Sequence, residues 1–198
     1  MKYFVITNNK VNIMTNKKIG VFVGSLRKES FNKKIANYLV SNPPAGLELE
    51  ILEIGQLPYY NEDLDQGNPP KEYVDFRKAV SELDAVLFVT PEYNRGVSAV
   101  LKNAIDVASR PYGKNVWNGK PGGVISSSIG AIGGFGANHH LRQSLVFINV
   151  PTMAQPEAYI GNVAANFDEQ GKLVNKDCQK FLDSFMVAYK EWIEKFLK

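Results

Sequence analysis

Short apolar runs alternate with longer amphipathic segments along most of this chain. Residues 85–90 (AVLFVT) are the clearest run, because every member is apolar or β-branched, as in a strand buried on both faces of a sheet. Residues 18–23 (KIGVFV) form a similar run, and the helical pattern of residues 71–83 lies between the two. Strands that alternate with helices predict a parallel sheet covered by helices on both faces.

The same alternation continues to the end of the chain. Strands are predicted at residues 18–23, 47–54, 85–90 and 122–128, with a weaker, proline-interrupted fifth strand within residues 149–159. Helices are predicted before Asn42 and at residues 71–83, 98–109, 138–147 and 177–197, and residues 55–70 are predicted to be a long loop. Because crossovers between parallel strands are right-handed, five strands of this spacing predict an α/β flavodoxin-like fold with strand order 2-1-3-4-5.

The length of 198 residues favours one domain. We expect residues 18–198 to form that domain and residues 1–17 to be a dispensable N-terminal extension. A second methionine, Met14, lies four residues before the first strong strand, which supports this division. The extension has neither the apolar core nor the cleavage site of a signal peptide.

Charge and composition exclude several classes of function. The net charge is +3, and the basic residues are scattered instead of forming the stripe typical of nucleic-acid binding. No apolar stretch approaches the roughly 20 residues that span a bilayer, so a membrane partner is not expected. The single cysteine, Cys178, rules out an intrachain disulfide and fits a reducing compartment, and we therefore expect a cytoplasmic protein.

Three polar or glycine-rich segments each follow a predicted strand, and we call them the first, second and third loops: residues 24–32 (GSLRKESFN), 91–99 (PEYNRGVSA) and 126–134 (SSSIGAIGG). In a sheet of this order they meet at the carboxyl edge, where ligands bind. The first loop suits a phosphate monoester or an ordinary helix cap. The second loop could form a wall against a planar ring, or it could be a simple turn. The glycines of the third loop could allow its backbone to approach a ligand closely, or the loop could be a mobile turn.

These residues also carry a resemblance to a known family. GSLRKESFN, TPEYN, LKNAIDVASRP and HHLRQSLVFINVP are similar to segments of the NADPH-dependent FMN reductase family, and within it to bacterial quinone and chromate reductases. The similarity runs from about Lys18 to the C-terminus. It implies non-covalently bound FMN, with NADPH or NADH as co-substrate.

The resemblance also implies which residues bind the cofactor. The residues implied to surround the FMN phosphate are Ser25, Leu26, Arg27, Ser30, Phe31 and Asn32. Those implied to contact the isoalloxazine ring are Pro91, Glu92, Tyr93, Asn94, Ser127, Ser128 and Gly130. Two positions depart from the family pattern: Ser98 stands where a proline is usual, and Glu29 where a glycine is common. We expect the carboxylate of Glu29 to weaken FMN affinity.

The sequence contains no pattern for side-chain catalysis or for a metal. It has no nucleophile elbow, zinc-protease motif or Cys-x-x-Cys pair, and adjacent His139 and His140 point about 100° apart on a helix. This agrees with chemistry carried by the cofactor. We therefore expect ping-pong transfer of hydride from NAD(P)H to quinones or to other acceptors such as flavins, azo compounds and chromate. An electron-transfer protein without a nicotinamide site is the alternative.

The resemblance further implies a homodimer or homotetramer, with a second subunit covering the open side of the flavin. Residues 59–70 and 112–117 are the expected interface segments, since their aromatic side chains are typical interface anchors or, alternatively, local core. Arg95 and Arg110 are candidates for the 2′-phosphate of NADPH or for ordinary surface ion pairs.

Overall fold

The computed structural model describes residues 3–7, 10–14 and 16–197. Strands β1 (Tyr3–Thr7) and β2 (Lys10–Met14) pair antiparallel, with Tyr3 opposite Met14, and form a two-stranded sheet of their own. Residues 1, 2, 8, 9 and 15 of the predicted extension lie outside the described residues. That the extension is dispensable remains a prediction.

Five further strands form one parallel sheet, and this confirms the predicted α/β flavodoxin-like fold. They are β3 (Lys17–Val23), β4 (Leu47–Ile51), β5 (Ala85–Pro91), β6 (Gly122–Ser127) and β7 (Ala158–Ile160). Their order in the sheet is β4-β3-β5-β6-β7, which is the predicted order 2-1-3-4-5. All seven residues of β5 are buried, as its uninterrupted apolar sequence predicted.

Helices cover both faces of this sheet. The helices are α1 (Phe31–Ser41), α2 (Glu62–Asp65), α3 (Lys71–Ser81), α4 (Ala99–Ala108), α5 (Phe135–Phe147) and α6 (Lys176–Phe196), and a 3₁₀ helix, η1, spans Val163–Asn166. One face packs on α1 and α6 through side chains such as Leu39 and Phe185. The other packs on α3, α4 and α5 through side chains such as Phe76, Ile105 and Leu141. No helix in the described part of the chain is long and apolar enough to cross a bilayer.

Two elements differ from the prediction because distant residues define them. The long loop predicted at residues 55–70 contains the short helix α2, whose Asp65 accepts two hydrogen bonds of 2.7 Å from the Arg77 guanidinium of α3. Helix α5 begins at Phe135, three residues before the predicted start. Its first turn is completed by a side chain from the second loop, which no local pattern could indicate.

The two alternatives given for residues 112–117, interface anchor or local core, apply to different aromatic side chains. Tyr112 is 91% exposed, but Trp117 is fully buried against Phe22, Phe76 and Phe88. The Trp117 indole N–H donates to the carbonyl of Ile105 at 3.1 Å, so its one polar atom is satisfied inside the core. Trp117 therefore stabilises the domain and cannot anchor a partner.

Candidate functional site

The three loops predicted to bind a ligand meet at the carboxyl edge of the sheet around a cavity of about 210 Å³. Strands β5 and β6 pair up to Pro91 and Ser127, and the second and third loops separate beyond that pair. The first loop leaves β3 on the other side of β5 and leads into α1. The residues that line the cavity are Ser25, Arg27, Ser30, Phe31, Asn32, Pro91, Glu92, Tyr93, Ser127, Ser128, Ile129 and Val163.

All the predicted site residues except Leu26, Asn94 and Gly130 line this cavity. Leu26 is 62% exposed and lies over Gly55, on the far side of the first loop. Asn94 occupies a tight turn with a φ of 51°. Sequence reasoning missed Val163, which comes from the 3₁₀ helix η1 and carries no polar or motif signal.

The first loop presents unpartnered backbone donors to the cavity. Ser30 is the N-cap of α1, and its hydroxyl accepts a hydrogen bond of 3.2 Å from the amide of Lys33. The amides of Arg27, Phe31 and Asn32 have no hydrogen-bond partner among the described residues. The first turn of α1 contains no acidic residue, so nothing within it offsets the positive end of the helix dipole. This arrangement suits an anion. The first loop can cap α1 through Ser30 and bind an anion through its free amides at the same time.

A buried hydrogen bond joins the first loop to the end of β6. The hydroxyl of Ser127 donates to the side-chain oxygen of Asn32 at 3.0 Å, and both residues are less than 10% exposed. Because β3 and β6 lie on opposite sides of β5, this bond crosses the end of β5 and holds the two sides of the cavity together. The Asn32 side-chain nitrogen has no partner among the described residues and remains available as a donor.

The third loop satisfies most of its polar groups within the fold. The amide of Ser128 donates to Ile160, that of Gly130 to the Ser128 hydroxyl, and that of Gly133 to the carbonyl of Gly130. The loop packs so closely on β7 that a Cβ at Gly133 would lie 2.6 Å from the carbonyl carbon of Tyr159. The amides of Ile129, Ala131, Ile132 and Gly134 lack a partner among the described residues.

The two departures from the family pattern have distinct surroundings. Ser98 caps α4 and is 1% exposed, and its hydroxyl oxygen has no hydrogen-bond partner among the described residues. The carboxylate of Glu29 lies 3.1 Å from the Lys34 ammonium and outside the cavity lining. Glu29 is therefore partly neutralised at the surface.

Arg95, Arg110 and the two histidines do not line this cavity, and Arg110 and His140 line a different one, between α4 and α5. Arg95 forms an exposed ion pair of 2.9 Å with Glu92, and Arg110 forms no ion pair within the described residues. His139 lies 3.0 Å from the Tyr159 hydroxyl, and His140 accepts a 3.4 Å hydrogen bond from the amide of Val97. Burial raises the pKa of Tyr159 to about 12, and nearby Glu157 adds to that shift, so the phenol stays protonated at neutral pH.

Cys178 lies away from the three loops, near the start of α6. Burial raises the pKa of its thiol, so little of the reactive thiolate is present at neutral pH. Larger surface cavities also exist, including one of about 380 Å³ between α4 and α5. The cavity of the three loops lies where β5 and β6 end, next to the unpartnered amides of the first loop, so we place the candidate site there.

Comparison with known proteins agrees with this geometry. Residues 17–165 match the family model of NADPH-dependent FMN reductases. The chain is 54% identical over 176 residues to a quinone reductase of Pseudomonas putida, covering 89% of this chain and 94% of the relative. It is 44% identical to a 2-hydroxy-1,4-benzoquinone reductase of Burkholderia sp, covering 89% and 96%.

A solved structure gives the same answer at the level of the fold. The flavoenzyme NAD(P)H:(acceptor) oxidoreductase FerB of Paracoccus denitrificans is 42% identical to this chain. The two structures superpose with a TM-score of 0.84, over 91% of this chain and 98% of that one. The chain therefore belongs to the NADPH-dependent FMN reductase family, as the resemblance of its first and second loops predicted, and it is a flavin- and nicotinamide-dependent oxidoreductase.

Proposed function

We propose that the cavity of the three loops binds FMN non-covalently and that the protein passes reducing equivalents from NAD(P)H to a quinone. The observation that carries this proposal is the set of unpartnered amides at the start of α1, directly beside a cavity of which Pro91 and Tyr93 form another wall. Relatives named for quinone substrates, from Pseudomonas putida and Burkholderia sp, support the choice of acceptor class.

The residues present fit a phosphorylated ring cofactor. The amides of Arg27, Phe31 and Asn32 and the hydroxyls of Ser25 and Ser30 would hold the phosphate, since helix N-termini favour anions. The second and third loops would hold the ring edge through Pro91, Tyr93 and Ser128. The remaining predicted contacts, including those of Leu26, Asn94 and Gly130, stay part of the proposal.

The size of the cavity agrees with a ligand that keeps one side open. Its volume of about 210 Å³ is smaller than the roughly 300–1,000 Å³ of sites that enclose a drug-sized ligand. Tyr93 and Ile129, which are 47% and 75% exposed, form an apolar rim beside it. Such a rim suits the flat rings of a nicotinamide and a quinone in turn.

When bound, FMN supplies the two-electron chemistry that the side chains of the cavity lack. The protein positions the ring between the second and third loops and limits water on its buried side. The unpartnered amides of the third loop, among them that of Ile129 in the cavity lining, would face negative charge on the ring. Because the rim offers one open side, NAD(P)H and the acceptor would use it alternately, in ping-pong order.

Absorbance spectroscopy tests this proposal. The purified protein reconstituted with FMN should show flavin absorbance that bleaches with NADPH or NADH and returns on addition of a quinone. Double-reciprocal plots of the initial rate against NAD(P)H concentration, measured at several fixed quinone concentrations, should give parallel lines. Intersecting lines would contradict the shared open side, and a flavin that NAD(P)H cannot bleach would favour an electron-transfer protein instead.

We also propose a cytoplasmic homodimer or homotetramer. Tyr59 and Tyr112 are 78% and 91% exposed, and large exposed aromatics of this kind are enriched at protein interfaces. Sedimentation velocity of the protein and of a Tyr59→Ser/Tyr112→Ser double variant tests this. The proposal predicts an oligomer that the double variant weakens, and a monomeric wild-type protein would contradict it.

A further inference from the structure

The second loop folds back on itself directly after β5. The amide of Tyr93 donates to the carbonyl of Gly96 at 3.2 Å, and the amide of Gly96 donates back to Tyr93 at 2.9 Å. The two residues between them, Asn94 and Arg95, have φ angles of 51° and 63°. Positive φ at both central positions is the pattern of a type I′ turn. The turn brings the Arg95 side chain back onto Glu92.

The Glu92 carboxylate is engaged on both oxygens. One oxygen accepts a 2.9 Å hydrogen bond from the Arg95 guanidinium, and the other accepts a 3.0 Å hydrogen bond from the amide of Ala137. The side chain is 11% exposed. Ala137 is the third residue of α5. The N-cap of α5 is Gly134, which has no side chain that could accept a hydrogen bond from the Ala137 amide. Glu92 thus replaces the missing cap from another loop, and its charge favours the positive end of α5.

Gly136 makes this approach possible. A Cβ built on Gly136 would lie 2.9 Å from the Glu92 carboxylate and 3.0 Å from the carbonyl oxygen of Arg95. Both distances are shorter than real Cβ contacts tolerate without displacement. Gly136 is not among the residues with positive φ. An added Cβ at Gly136 would therefore displace the Glu92 carboxylate from its present position, for reasons of space and not of backbone conformation.

The hydrogen bond from Ala137 to Glu92 joins the second loop to the start of α5, which directly follows the third loop. Pro91 and Ser127 are the last paired residues of β5 and β6. Beyond them the second and third loops diverge, and the third loop leads directly into α5. Among the described residues, the second loop is connected to α5 by the hydrogen bond between Ala137 and Glu92 and by the longer bond between Val97 and His140.

We infer that Glu92 is a positioning residue, whose carboxylate holds the second and third loops at the separation that the flavin ring needs. This inference rests on the proposed function. It gives the side chain of Glu92 a role different from direct contact with the ring, although the residue lines the cavity. If the connection is lost, a smaller fraction of the protein has loops at the binding separation, and the apparent FMN affinity falls in proportion.

Four variants test this, with FMN affinity measured by flavin fluorescence titration. Glu92→Ala removes the acceptor, and Gly136→Ala displaces it from the other side. Each should weaken FMN binding about tenfold or more, as expected for the loss of a charge-assisted hydrogen bond. Glu92→Gln keeps an oxygen that can accept from Ala137, and Arg95→Ala keeps the bond while removing the ion pair. Both should bind FMN within about twofold of the wild-type protein.

Two further measurements separate positioning from general destabilisation. The double variant Glu92→Ala/Gly136→Ala should bind FMN about as tightly as either single variant, since all three break one contact. Hydrogen exchange of the Ala137 amide in the FMN-free protein should speed up in Glu92→Ala but not in Glu92→Gln.

The inference is overturned if Glu92→Ala binds FMN as tightly as the wild-type protein, or if Glu92→Gln binds as weakly as Glu92→Ala. Fully additive losses in the double variant, or unchanged exchange of the Ala137 amide in Glu92→Ala, would overturn it as well. A folded wild-type protein that binds no FMN would overturn the proposed function together with this inference. If Glu92→Gln and Glu92→Ala both bind FMN weakly while the wild-type protein binds it tightly, the inference is overturned and the proposed function stands.

Discussion

The first and third loops are both polar in sequence, yet they use their backbone groups differently. In the first loop, the amides of Arg27, Phe31 and Asn32 have no partner among the described residues, and all three residues line the cavity. In the third loop, the amides of Ser128, Gly130 and Gly133 donate within the loop or to β7. The first loop is thus arranged to receive a ligand, whereas the third is arranged mainly to pack.

A glycine-rich loop at the end of a strand is often interpreted as a ligand-binding loop, but the glycines of the third loop serve mainly for packing. The glycines of the third loop allow contact with the backbone of β7, since Gly133 and Gly161 leave no room for a Cβ. They contribute to the cavity by shape and offer few donors. The first loop has a single glycine, Gly24, but it ends in a helix N-terminus that supplies the donors.

The largest expected effect comes from Gly133→Ala. Gly133 has a φ of 65°, and an added Cβ would meet the Tyr159 backbone at 2.6 Å. We expect a loss of about 3 kcal/mol in the free energy of unfolding, which lowers Tm by roughly 6–12 °C. Thermal unfolding of the FMN-free protein measures this.

Gly130→Ala is the matched control in the same loop. Its Cβ would meet nothing closer than the Ser128 hydroxyl at 3.6 Å, so we expect a stability within about 0.5 kcal/mol of the wild-type protein. Equal losses in the two variants would show that the third loop does not depend on packing against β7.

Ser30→Ala should lower both stability and FMN affinity. It removes the cap of α1, which costs about 1 kcal/mol of stability, and it removes a proposed phosphate ligand, which weakens FMN binding about tenfold. Asn175→Ala removes the corresponding cap of α6, far from the cavity, and should lower stability alone. Calorimetry of both variants measures stability, and FMN titration measures affinity. If Asn175→Ala lost as much FMN affinity as Ser30→Ala, this would count against phosphate binding at the first loop.

Ser98→Pro should stabilise the protein by about 1 kcal/mol. Ser98 has a φ of −64°, which proline adopts, and its buried hydroxyl has no partner among the described residues. This hydroxyl lies next to Gly24, at the base of the first loop. Chemical denaturation measures the change. A less stable variant would contradict this and would mean that the Ser98 hydroxyl is hydrogen-bonded in the folded protein.

Glu29→Gly gives the smallest expected effect, a two- to threefold gain in FMN affinity at low salt. The Glu29 carboxylate is 67% exposed and paired with Lys34, so screening limits its repulsion of a phosphate. FMN titration at low and high salt checks this, because the gain should shrink as the salt concentration rises. An affinity no higher than that of the wild-type protein would show that the first loop is insensitive to this charge.

The sequence predicted the sheet order and most of the cavity because both follow from local patterns. Each apolar strand ends at a polar loop, and parallel strands bring those loops to one edge. The features it missed depend on residues distant in sequence. The start of α5 needs Glu92, the helix α2 is tied to Arg77, and the burial of Trp117 needs a pocket of three phenylalanines.

The fifth strand shows the same limit at the edge of the sheet. Residues 149–159 were predicted to contain it, and the structure has it at Ala158–Ile160, with an isolated bridge between Gly122 and Thr152. Pro151 and Pro156 prevent a continuous ladder. Strand β7 pairs with β6 and packs on the third loop, and these contacts join residues too distant in sequence for a local pattern to indicate.

Parallel titrations of the FMN-free protein with FMN and with riboflavin test the central claim most directly, since the two ligands differ only by the phosphate. If the first loop binds that phosphate through its amides and hydroxyls, FMN should bind at least about tenfold more tightly than riboflavin. Equal affinities, or a folded protein that takes up neither ligand, would contradict the account.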